Sequence, residues 1–64
     1  MEDWQQRVKD EHADLTVKLH KLNAFLCGKG VEALTPRTKR LMIKQRDAME
    51  DYCWVLAERI KDFT

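Results

Sequence analysis

Val8, His12, Leu15, Leu19, Leu22 and Leu26 recur at alternating spacings of four and three residues, and this regularity restricts the possible fold more than any other feature of the chain. It puts six side chains on one stripe of a helix and matches the seam of a helix packed lengthwise on another. Asp3 marks the start, with Gln6 three residues later placed to reach back in a capping-box arrangement. Phe25 widens the stripe near its end, and Gly28 and Gly30 supply a stop, because glycine readily takes the left-handed conformation that ends many helices. A second stripe runs through Met42, Gln45, Met49, Tyr52, Leu56, Arg59 and Phe63, flanked by Leu41, Cys53 and Ile60. Thr35 is suited to cap this second helix, with Pro36 at its first position, where the missing N–H costs nothing. The spacing predicts helices over about 3–27 and about 36–63. Between them, a connection over about 28–35 lets Val31 and Leu34 fold back over the end of the core.

Two rods on a short connection make an antiparallel hairpin, an all-α single domain filling residues 1–64. A chain of this size buries only about 60% of its unfolded surface, and one core seldom supplies more than about 3–5 kcal/mol. A hairpin needs one apolar stripe per helix, yet Val17, Ile43, Trp54 and Val55 lie off both. The surplus points to self-association as a dimeric four-helix bundle or a larger oligomer. Met42, Gln45, Met49, Leu56 and Arg59 on the seam, with Ile43 and Trp54 on the outer face, are the expected interface residues. Gln45 and Arg59 are polar where apolar residues would normally sit, a device that fixes register at a cost in stability. Arg59 could alternatively pair with Asp10, Glu11 or Asp14.

The net charge of +1 conceals a strong asymmetry. Residues 1–14 set Arg7 and Lys9 against Glu2, Asp3, Asp10, Glu11 and Asp14. Residues 15–46 carry eight basic side chains against Glu32 alone, and the tail sets Arg59 and Lys61 against Asp47, Glu50, Asp51, Glu58 and Asp62. Folding into a hairpin gathers the basic charge at the loop pole and both acidic segments at the other. Like charges then lie side by side, which another molecule must relieve. A second hairpin packed head to tail would do so, basic pole on acidic pole. Alternatively, an anion would bind the basic pole, helped by the free N–H groups and the positive dipole end near Thr35 to Thr38.

Catalytic chemistry finds no constellation. The chain has no serine, no Gly-rich phosphate loop, no HExxH and no paired-cysteine motif. His12 and His20 lie eight residues apart, about 12 Å along a helix, too far to share a metal. Cys27 and Cys53 fall at different heights of the hairpin and read as reduced, small apolar residues. The expectation is a non-enzymatic, cytoplasmic protein with no cofactor and no metal. No apolar stretch approaches the roughly 20 residues of a membrane span. Arg37, Lys39, Arg40, Lys44 and Arg46 crowd the first turns of the second helix, but they spread around it, and the acidic tail would repel a long phosphate backbone. A compact anion or an acidic protein surface fits better than a nucleic-acid duplex.

The run Lys18-Leu19-His20-Lys21-Leu22-Asn23-Ala24-Phe25-Leu26, followed by Leu41, Gln45, Met49, Tyr52, Leu56, Arg59, Ile60 and Phe63, resembles a family of small tailed-phage and prophage helical proteins. The second helix is similar, more loosely, to phage cyclic-nucleotide sponges that counter cyclic-oligonucleotide-based antiphage defence. Those are helical oligomers that hold nucleotides between subunits with basic side chains and an aromatic stack. The resemblance implies a counter-defence binder in the host cytoplasm, capturing a cyclic nucleotide or occupying an acidic host protein. It gives Arg37, Arg40, Lys44 and Tyr52 the binding roles, with Lys39 and Lys21 adding to the basic pole. The chain departs from the sponges in being shorter and in having no aromatic residue between Phe25 and Tyr52. The alternative class is a structural or regulatory phage protein whose charges serve only self-assembly.

Overall fold

The computed structural model describes residues 3–64. Helix α1 spans Asp3–Cys27, a short 3₁₀ turn covers Lys29–Ala33, and helix α2 spans Pro36–Phe63. There is no strand among the described residues. The helices run antiparallel as a hairpin 46 Å long and 14 Å across. The N-terminal Trp4 of α1 meets Phe63 at the end of α2, their rings edge to face with centroids 5.1 Å apart. Glu2, one of the acidic charges of the terminal pole, lies outside the described residues.

Local chemistry accounts for the start of α2. Thr35 is extended, and its Oγ1 accepts from the Thr38 N–H at 3.2 Å while Pro36 occupies the first turn. This satisfies one of the amide donors that a helix start leaves without a partner. At the start of α1, Gln6 does not reach back to Asp3. Its Nε2 donates forward to Asp10 Oδ1 at 2.9 Å, one turn on.

The glycines end α1 differently from the sequence expectation. Neither has a positive φ, and Gly28 is extended with φ −92°. Their role is close approach. A Cβ on Gly28 would lie 3.3 Å from the Ala24 carbonyl oxygen, and one on Gly30 would lie 3.1 Å from the Phe25 ring. The chain thus turns tightly under Phe25, and Val31 and Leu34 are half-buried at the end of the hairpin, as expected.

The seam on α1 follows the expected stripe, with Val8 and Leu15 buried and His12, Leu19, Leu22 and Leu26 half-buried. On α2 it is turned by one position. Met42, Arg46, Met49, Cys53, Leu56, Ile60 and Phe63 are buried or half-buried, whereas Gln45, Tyr52 and Arg59 are exposed. Both sets keep the same three-four spacing, so periodicity alone does not separate them. Desolvation does, because facing Gln45, Tyr52 and Arg59 inward would bury an amide, a phenol and a guanidinium. The observed set requires burial of one polar group, and Arg46 escapes to the edge, where it grips Asp47 at 3.1 Å. Leu56 is fully buried and sits at the centre of a core whose other buried members among the described residues are Val8 and Leu15. Met49, Cys53, Ile60 and Phe63 pack around them.

Candidate functional site

Part of the basic charge of the loop pole gathers in one hollow on the first turns of α2. Arg37, Arg40 and Lys44 rise around the exposed Leu41 and line an open hollow of about 350 Å³. Their offsets of three, four and seven residues place them on neighbouring positions of one helix surface. No carboxylate lines this hollow. Among the described residues the ion pairs are Arg46–Asp47 and Lys61–Glu58, neither of which involves the three cations. Three long, flexible side chains over an apolar floor can close on an anion with a flat apolar face, the guanidiniums holding its oxygens with charge-assisted bonds.

The backbone contributes less than the sequence suggested. Of the amides in the first turn, Pro36 has none, Thr38 donates to Thr35 Oγ1, and the Lys39 N–H already bonds the Thr35 carbonyl at 3.0 Å. The helix start therefore offers its dipole and the Arg37 N–H, and the side chains carry the site.

The other candidate residues stand apart from this hollow. Lys39 is half-buried on the seam side of α2, and Lys21 is exposed on α1. Tyr52 lies eight residues beyond Lys44, about 12 Å along the axis. It lines a different hollow of about 480 Å³ with Arg7, Asp10, Glu11, Asp14 and Lys18. Three carboxylates against two cations make that surface unsuited to an anion. Arg59 makes no ion pair with Asp10, Glu11 or Asp14, and instead lines a shallow hollow with Trp4, Asp62 and Phe63. Of the expected interface residues, Leu56, Met49 and Met42 are occupied by the hairpin's own seam, while Gln45, Arg59, Ile43 and Trp54 are exposed. Sequence reasoning missed Leu41 as the floor of the basic hollow, having placed it beside the seam. The signal was its position midway between Arg37 and Lys44, one turn from each.

Cys27 and Cys53 are free thiols, the first exposed and the second half-buried. No cluster of metal-ligating side chains occurs among the described residues. No helix among them is long and apolar enough to cross a membrane.

A family model, Sequestin, matches residues 2–62, nearly the whole chain, and the protein belongs to that family. No curated protein and no solved structure gives a significant match.

Proposed function

Starting from membership of the Sequestin family, we propose that this protein is a phage-encoded, non-enzymatic counter-defence binder that captures an anionic cyclic nucleotide signal in the host cytoplasm. The observation that carries the reading is the convergence of Arg37, Arg40 and Lys44 on one hollow that no carboxylate of the hairpin itself lines. The family name speaks of sequestration, which supports a binding role over a catalytic one. Holding a signal molecule requires affinity and abundance and no chemical step, in keeping with a chain whose sequence offers no catalytic constellation. The protein acts as a homo-oligomer in this reading, because three buried apolar residues are a small core and large apolar side chains remain exposed.

The test is calorimetric titration with a panel of cyclic di- and trinucleotides, for the parent and for the Arg37→Ala/Arg40→Ala/Lys44→Ala variant. The parent binds at least one member, and the variant loses that binding at least 100-fold while keeping its helical circular dichroism. Surface substitutions away from core and caps usually change stability by about 0.5 kcal/mol or less each, so the fold survives their loss. A parent that binds no member of the panel, or a variant that binds as well as the parent, overturns the reading. In the second case the ligand lies elsewhere. In the first, the acidic host protein becomes the partner to pursue.

A further inference from the structure

We infer that α2 pairs with α2 of a second copy, antiparallel and centred on Ala48, through the exposed stripe Leu41, Gln45, Ala48, Tyr52 and Val55. The inference rests on the self-association proposed above and names its face and register. All five residues are exposed in the hairpin, and at 3.6 residues per turn they fall within about 80° of arc on α2. Their spacing is nearly symmetric about Ala48. Leu41 and Val55 lie seven residues to either side, and Gln45 and Tyr52 lie three before and four after. A twofold axis at Ala48 therefore brings Leu41 level with the partner's Val55 and Gln45 within one residue of the partner's Tyr52. The smallest side chain then sits where the two helices approach most closely.

Charge selects a second copy as the occupant and antiparallel as its direction. One flank of this stripe carries Arg40 and Lys44 in the first half of α2 and Asp51 and Glu58 in the second. In an antiparallel pair the same flanks meet. Lys44, four residues before the centre, then faces the partner's Asp51, three after it. Arg40, eight before, comes near the partner's Glu58, ten after. A parallel pair would instead set this flank against the partner's opposite flank, the seam side that carries Met42, Met49 and Leu56, where no such charge pairs form. Within the hairpin Arg40, Lys44 and Asp51 have no ion-pair partner among the described residues, so they are available for these contacts, and an anion held at the hollow of Arg37, Arg40 and Lys44 competes with the partner's Asp51 and the partner's Glu58 for them.

The second apolar face sets Ile43 and Trp54 about Asp47 and Glu50, two carboxylates that a twofold pairing would bring together. The chosen register also has a consequence for the anion. It brings Arg37 level with the partner's Arg59, each eleven residues from Ala48, and two facing cations invite a negative group between them.

Two measurements test the inference. In a Cys27→Ser/Cys53→Ala background with the sedimenting mass of the parent, Ala48→Cys is oxidised and run on a non-reducing gel beside Glu50→Cys, which lies on the opposite side of α2. Ala48→Cys is expected to yield a covalent dimer and Glu50→Cys a monomer, because a disulfide needs Cβ atoms about 3.5–4.5 Å apart. Independently, Val55→Asp is expected to reduce the mass to that of one chain, whereas Trp54→Asp leaves it unchanged. A parent that sediments as a monomer at tens of micromolar overturns self-association and this inference together, and leaves nucleotide capture to its own titration. A parent that associates but is dissociated by Trp54→Asp and not by Val55→Asp overturns the face alone.

Discussion

The two ends of the hairpin are built for different purposes. Val8 and Leu56 are buried toward the terminal pole and Leu15 at mid-length, Trp4 and Phe63 stack edge to face at that pole, and Lys9 sits with its Nζ 6.0 Å from the Phe63 ring centroid. At the loop pole no residue is buried. Leu22, Leu26, Val31, Leu34 and Met42 are half-covered, and Phe25, Leu41 and the basic hollow are open. The first pole supplies cohesion, and the second holds charges that cohesion would not tolerate. Desolvating Arg37, Arg40 and Lys44 under a packed core would cost more than a chain of this size can offset. The lesson is that substitutions at one pole should move stability with little effect on binding, and the reverse at the other.

The largest effect expected on stability comes from Leu56. Leu56→Ala truncates a fully buried side chain, and truncations of this kind cost about 2–5 kcal/mol. That is comparable to the whole stability of about 3–5 kcal/mol that a core of this size supplies. Circular dichroism should show the variant largely unfolded at 25 °C. A variant as helical and as heat-resistant as the parent would break the comparison, since cohesion would then lie elsewhere. Leu22→Ala, at a half-buried position nearer the loop, should cost clearly less.

A middle-sized effect is expected at the terminal aromatic pair. Edge-to-face pairs contribute about 0.5–1.5 kcal/mol beyond the area they bury. Trp4→Ala should therefore lower the melting temperature by several degrees, at about 4–8 °C per kcal/mol for a domain of this size. Binding of a cyclic nucleotide should change less than twofold. A large loss of binding with little loss of stability would assign the ligand to the hollow of Trp4, Arg59, Asp62 and Phe63 and reverse the two poles.

How far these regions could be read in advance follows from the kind of signal each gives. The helices and their junction were legible because capping and spacing are local. Thr35 and Pro36 mark the start of α2, and the apolar spacing of α1 is unambiguous. The seam of α2 was not, since the stripes through Gln45, Tyr52 and Arg59 and through Arg46, Cys53 and Ile60 have the same period. Desolvation of three polar groups decided between them. The glycine stop was located correctly but for the wrong reason, because the close contact of Gly30 with the Phe25 ring depends on a side chain from another turn. In the candidate site, Arg37, Arg40 and Lys44 were legible as neighbours on one helix. Tyr52 is joined to them only by the family resemblance, and eight residues of helix rise hold it apart.

The smallest effect sharpens the comparison most. Thr35 sits at the loop pole beside the cations, yet its role is structural, its Oγ1 holding the Thr38 amide. Thr35→Ala should cost about 1 kcal/mol, the usual loss for a helix N-cap, and should fray the first turn of α2. Binding should fall only slightly, because the hollow is made of side chains spread over two turns and only its first member, Arg37, lies in the frayed turn. Thr35→Ser keeps the oxygen acceptor and should restore both stability and binding. If Thr35→Ala instead removes binding as completely as loss of the three cations does, the anion is held by the ordered helix start and its dipole. The side chains would then only attract it, and salt would weaken binding by screening that attraction over about 8 Å at physiological ionic strength.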